Sequence, residues 1–330
     1  MNQHRVEPPR FEPKFLLPQF WPTWLMVGFL YLLSWLPFRL QLFLGGLLGK
    51  LFMKTMKKRV KIADKNLQLS FPDMPAAERN RIIKKVYQNT GIAMFETGIA
   101  WWWPDWRLKR KIKIEGLDLV ESVRSEGKGV FAILFHFLSL EVHARAVGLF
   151  QPAVGLYRPH NNALMEYLQT KGRGRSNKYL LGKKNVKGFL QALEDGELCG
   201  YLPDQDYGPN RAVFVPLFAI PDAATTTGTS IFANHSNAVT LVSTFDRLPC
   251  AQGYVLRFYR PEHEIPSGND ETDARHVNKE VEKAVLANPE AYMWMHRRYK
   301  TRPNKELPSY YGKLSKKKKR KAKPNVNQSS

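Results

Sequence analysis

The residues of this chain best placed to do chemistry are His136 and Glu141, in the stretch GVFAILFHFLSLE. A carboxylate next to an imidazole fixes its tautomer and stabilises its protonated form. Such a histidine can take a proton from an attacking hydroxyl, a contribution of about 10²–10⁴ in rate. The spacing constrains the geometry. Five positions apart on one continuous helix, two side chains point roughly 140° away from each other. They meet only if His136 lies in a strand-to-helix turn and Glu141 in the first turn of the next helix. Spacing alone leaves open the plainer alternative, a core histidine with a surface glutamate.

Three further clusters stand out. KGRGRSNK carries Lys171, Arg173, Arg175 and Lys178. Guanidinium groups suit two-point binding of phosphate or carboxylate, although a solvated basic loop has the same composition. YLPDQDYGPN carries Asp204 and Asp206, which can orient a basic partner, bind a metal or form an Asx turn, the turn being the simplest local reading. AATTTGTS, Ala223 to Ser230, reads as a helix start that Asp222 can cap, with free N–H groups open to an anion. No G-x-S-x-G, Walker A, G-x-G-x-x-G or H-E-x-x-H pattern occurs, and the histidines lack a metal-ligand arrangement. No metal or organic cofactor is expected.

The elements that must position these residues follow from periodicity. Val130 to Phe135 is a short apolar run after a turn-forming glycine, and reads as a buried strand. Further strands are expected at Ala153–Tyr157, Glu197–Pro203, Ala238–Phe245 and Tyr254–Arg260. Helices are expected between them, over 161–171, 187–194 and 226–234. Residues 54–128 read as mainly helical, broken by Pro72–Asp73–Met74–Pro75. Trp101, Trp102 and Trp103 form either an interfacial edge or ordinary core packing. The alternation predicts an α/β fold with a mixed sheet flanked by helices, with ligand-binding residues near strand ends.

Residues 20–38, FWPTWLMVGFLYLLSWLPF, carry no charge and are long enough to cross a bilayer as a helix. Tryptophans at both ends suit the interfaces. A second apolar stretch, Leu40 to Phe52, is broken by Gly45, Gly46 and Gly49 and reads as interfacial. The denser basic flank follows the first stretch, which predicts a single-pass anchor with the main domain in the cytoplasm. The chain has 330 residues, 51 Lys and Arg against 29 Asp and Glu, and a net charge of +22. That balance favours anionic partners, whether lipid, nucleic acid or an acidic protein, but no nucleic-acid module is recognisable. Cys199 and Cys250 give no disulfide framework, in keeping with a reducing compartment.

HFLSLE resembles the H-x4-D/E motif of glycerolipid-type acyltransferases. GLYRPHNNALMEYLQTKGRGRSNK, YLPDQDYG, FVPLFAIPDAATTTGT and AYMWMHRRYKTRP are similar, in that order, to blocks of the late acyltransferases of lipid A biosynthesis, the lauroyltransferase type above all. The similarity runs from about Phe20 to Pro303. It implies transfer of an acyl chain from acyl carrier protein to a hydroxyl of a phosphorylated, Kdo-bearing tetraacyl lipid A precursor, at the bacterial inner membrane. By the same resemblance His136 is the general base and Glu141 its partner. Arg173 and Asp204 match further residues on which activity depends, and Arg175 and Lys178 are expected to help position phosphate or the oxyanion. The expected divisions are a short N-terminal segment (1–19), a transmembrane helix (20–38), an interfacial basic segment (39–59), an acyltransferase domain (60–313) and a disordered basic tail (314–330). The F-P-E-G block of glycerol-phosphate enzymes is absent; FVPLF is the nearest stretch. Two rivals remain at this stage: an acyltransferase for another lipid acceptor, and a non-enzymatic membrane-tethered anion-binding protein.

Overall fold

The computed structural model describes Val6 and residues 9–315. The expectation of a disordered basic tail falls, over 316–330, outside the described residues.

The first apolar stretch does not form one spanning helix. It divides into α1 (Trp21–Ser34) and the start of α2 (Phe38–Thr55). At 14 residues α1 is about 21 Å long, short of a hydrocarbon core of about 30 Å. α2 carries Arg39, Lys50 and Lys54. No helix among the described residues is long and apolar enough to cross a membrane, which corrects the single-pass expectation. The break has a local cause. Pro37 is the N-cap of α2, and the buried Gln41 amide donates to the carbonyls of Ser34 and Leu36, both at 2.8 Å. Trp103 Nε1 and Arg107 Nη2 donate to the same two carbonyls, which lack helical partners where α1 stops.

α3 (Lys57–Ser70) and the long α4 (Ala76–Trp102) follow, then the short α5 (Asp105–Lys109). α2 packs along α4 through glycines. A Cβ on Gly45 would come within 2.6 Å of the Ile92 Cα, and Gly49 and Gly91 are closed against backbone in the same way.

The strands in chain order are β1 (Ile112–Glu115), β2 (Val130–Ile133), β3 (Ala153–Tyr157), β4 (Tyr179–Gly182), β5 (Leu198–Tyr201), β6 (Ala212–Leu217), β7 (Ile220–Thr226), β8 (Val239–Leu248) and β9 (Gly253–Tyr259). Seven form one sheet in the order β1-β9-β8-β2-β5-β3-β4, while β6 and β7 make a separate hairpin. Every pairing in the large sheet is parallel except β8 with β9. The remaining helices are α6 (Leu117–Ser125), α7 (Leu140–Phe150), α8 (Ala163–Arg173), α9 (Val186–Glu194), α10 (Gly228–Asn234) and α11 (Asp270–Ala287).

β2 lies at the centre and is buried throughout, as a strand covered on both faces must be. Its alternate residues serve two cores. Phe131 and Ile133 join a cluster with α3, α9 and α11, while Val130 and Ala132 join one with α7 and the end of α4. Trp101 and Trp103 are buried in the second cluster, so packing accounts for them. β1, β4 and the β6–β7 hairpin were not expected from periodicity. Ala223–Thr226 belongs to β7 and the helix begins only at Gly228. A run of threonines favours the extended chain there. Asp222 caps no helix; it accepts from Arg302 Nη1 at 3.0 Å and from the Tyr310 hydroxyl at 3.2 Å.

Candidate active site

His136 sits three residues beyond β2, at the carboxyl end of the parallel strands, where open α/β sheets gather ligands. Its loop is pinned on several sides. Leu134 N–H donates to Tyr201 O at 2.8 Å, Leu138 N–H to Ala291 O at 2.8 Å, and Met293 N–H to His136 O at 3.1 Å. Phe137 forms a β-bridge with Tyr292. The AYMWM stretch is thus a strap across the loop that carries His136.

The carboxylate on the His136 ring is Asp204. Its Oδ1 lies 2.7 Å from Nδ1, and its Oδ2 accepts the His136 backbone N–H at 2.8 Å. Asp204 arrives from the end of β5, the neighbour of β2, with Ile133 and Tyr201 in register. Tyr292 OH donates to its backbone carbonyl at 3.3 Å. The Asp204 side chain is fully buried, whereas His136 keeps 19 % of its side chain accessible. Burial alone would raise the Asp204 carboxyl. The charge on His136, the hydrogen bonds from its ring and backbone, and the buried Arg298 outweigh that and hold it below the usual carboxylate range. When the imidazole is neutral, an ionised Asp204 makes Nδ1 the protonated nitrogen and leaves the Nε2 lone pair free.

Glu141 lies in the first turn of α7, as the spacing required, but its partners are Arg173 and Trp101. Arg173 Nε donates to both carboxylate oxygens at 3.2 Å, Arg173 Nη2 also donates to Oε1, and Trp101 Nε1 donates to Oε2 at 3.3 Å. Glu141 makes no hydrogen bond to His136 among the described residues. Arg173 and Glu141 stand in the wall of a cavity of about 140 Å³ between α7 and the sheet, otherwise lined mainly by aliphatic residues and glycines. Leu134 and Leu202, each two residues before His136 and Asp204, belong to the same wall.

Arg175 and Lys178 do not line this cavity. Arg175 donates to Trp101 O at 2.6 Å. Lys178 is ion-paired with Glu197. Lys178 and Glu197 precede β4 and β5, so strand direction puts their backbone at the opposite end of the sheet from His136. Asp206 does form an Asx turn, accepting from Gly208 N at 2.9 Å, and it also takes the Thr301 hydroxyl at 2.7 Å. Among the described residues no cluster of three or more His, Cys, Asp or Glu is arranged to hold a metal ion. Trp101 and Tyr292 went unrecognised as site residues, because neither contact is local in sequence.

The sequence profile described as bacterial lipid A biosynthesis acyltransferase matches residues 8–301. The chain belongs to that family. It is 44 % identical over 303 residues to the lipid A biosynthesis lauroyltransferase of Escherichia coli K12, covering 92 % of this chain and 99 % of that protein. Identity to the palmitoleoyltransferase of the same organism is 42 % over 301 residues, covering 91 % and 98 %. Identity to its myristoyltransferase is 27 % over 310 residues, covering 92 % and 94 %. As a lipid A biosynthesis acyltransferase the chain is an enzyme that moves an acyl chain between a donor and a lipid A precursor.

Proposed function

We propose that this acyltransferase passes a lauroyl or similar chain from acyl carrier protein to a hydroxyl of a Kdo-bearing tetraacyl lipid A precursor, with His136 as general base. The observation that carries this reading is the His136–Asp204 pair beside a mostly apolar cavity. His136 Nε2 removes the acceptor proton as the oxygen attacks the thioester carbonyl. Asp204 holds the ring in the tautomer that makes this possible and stabilises the imidazolium that forms. The imidazolium then returns the proton to the departing thiolate, so the cycle closes without a cofactor. Asp204 here takes the orienting role that sequence spacing suggested for Glu141. Glu141 fixes Arg173, whose Nη1 makes no hydrogen bond among the described residues and can meet the oxyanion or an anionic part of a substrate.

The aliphatic cavity suits the acyl chain, and the net charge of +22 suits both an acidic carrier protein and a phosphorylated acceptor. Membrane association runs through α1 and α2. Leu25, Phe29 and Leu32 on α1 and Phe43, Leu47 and Leu51 on α2 are exposed. An unpartnered apolar surface of this kind suits one leaflet. The basic residues from Arg39 to Lys61 flank this surface and suit an anionic leaflet.

The test is a transfer assay with purified protein, acyl carrier protein thioesters of graded length and the tetraacyl precursor. Transfer that His136→Ala and Asp204→Asn both abolish supports the reading. Near-normal turnover by either variant overturns the assignment.

A further inference from the structure

We infer that Arg247 is a positioning residue that, with Glu96, fixes the loop between His136 and Glu141 by holding Ser139. The inference rests on the reading of His136 as the base. Arg247 lies near the end of β8, beyond the last residue of that strand paired with β2, and so at the His136 end of the sheet. Its Nε donates to Glu96 Oε1 at 2.9 Å, and its Nη1 donates to Asn89 Oδ1 at 2.7 Å. Its Nη2 lies 2.8 Å from Glu96 Oε1 and donates to Ser139 Oγ at 3.2 Å. Tyr254 OH donates to the same Glu96 oxygen at 3.0 Å.

Three features mark this cluster as more than filler. The first is its cost. The Glu96 side chain is 1 % accessible and that of Arg247 is 15 %. Burying such a pair loses hydration that its attraction barely restores, and apolar residues of similar volume would serve stability as well. The second is its target. Ser139 is the N-cap of α7, yet its side chain makes no capping hydrogen bond. The hydroxyl that would ordinarily cap the helix accepts from Arg247 instead. The third is its reach. Asn89 Nδ2 donates to Glu290 O at 2.9 Å, one residue before the strap that pairs with Leu138. One guanidinium therefore ties α4, the catalytic loop and, through Asn89, the root of the strap. Trp101 on the same helix holds Glu141.

The test is steady-state kinetics on the full-length enzyme, with thermal unfolding measured alongside. Ser139→Ala should lower kcat about tenfold, the loss that about 1.4 kcal/mol of transition-state stabilisation represents. KM for both substrates should stay within about twofold, and the unfolding midpoint should not move. Ser139→Thr, which keeps the hydroxyl, should restore most of kcat. Arg247→Met, which also frees Glu96 and Asn89, should lower kcat further, and adding Ser139→Ala to it should cost nothing more, because the contact to Ser139 is already gone. A Ser139→Ala enzyme with normal kcat, or losses that multiply in the double variant, would overturn the inference. If Arg247→Met does not fold, the Ala and Thr variants of Ser139 decide alone. His136→Ala in the same assay separates the two readings: an inactive His136→Ala beside a normal Ser139→Ala sinks only the positioning role, whereas an active His136→Ala sinks the assignment of the base.

Discussion

Asp204 and Glu141 carry the same functional group but meet different partners, His136 for the sealed Asp204 and Arg173 with Trp101 for the partly exposed Glu141. Asp204→Asn keeps the volume and removes the charge that selects the Nδ1–H tautomer. It should lower kcat by about 10²–10⁴ with little change in KM, read from initial rates. Its pH signature follows from the direction of the shift. With the folded-state carboxyl below its ordinary value, the stability Asp204 supplies is complete above the usual carboxylate range and drains as pH falls through the folded value. His143 gives a second acid limb. Fully buried on α7, it shares a hydrogen bond of 2.9 Å with Ser243, and burial depresses it from 6.5 to about 3. The stability gained by keeping it neutral is whole above pH 6.5 and is lost as pH falls from there towards 3. That loss amounts to about 2 kcal/mol between pH 6.5 and 5. His143→Gln should flatten this limb in urea unfolding at pH 7, 6 and 5; a variant that weakens as steeply as the wild type would place the limb elsewhere. His136 was legible because a strand end delivers it. Its tie to Asp204 was not, since the two are 68 positions apart and only the parallel register of β2 with β5 brings them together.

At the scale of elements, the short buried strands were readable as apolar runs between turn residues, and α8 and α9 fall close to the expected ranges. The division of the first apolar stretch was not readable, because hydropathy averages over Pro37 and gives no weight to a buried Gln41 that ends a helix. If α1 and α2 lie in one leaflet, Phe29→Glu with Leu32→Glu should release the protein from anionic vesicles in a flotation assay and leave the unfolding midpoint alone. The other element-level expectation concerns the cavity floor. A Cβ on Gly155 of β3 would meet only Leu180 Cδ2, at an ordinary 3.5 Å, so a side chain there can enter the cavity without disturbing backbone. Gly155→Leu should shift the product towards shorter acyl chains, resolved by mass spectrometry with competing thioesters. An unchanged chain profile would remove the cavity as the acyl site.

For the whole molecule, the long α4 joins parts that distance in the sequence keeps separate. One end buries its side chains with α3 and α11, and the other reaches Glu141 through Trp101. Between them Asn89 and Glu96 grip Arg247. The helix was legible as a periodic run, but its role was not, since that depends on non-local contacts from β8, α7 and α2.

The glycine seam between α2 and α4 bears on how this protein can be handled. Gly45, Gly49 and Gly91 let two backbones touch with no side chain between them, so α2, with its exposed apolar residues, is fused to the body of the fold rather than hung from it. Trimming the first 55 residues to obtain a water-soluble enzyme would uncover the glycine-lined face of α4 and loosen the helix whose Trp101 holds Glu141. Detergent around the intact chain, rather than a shortened chain, is the form in which its chemistry should survive.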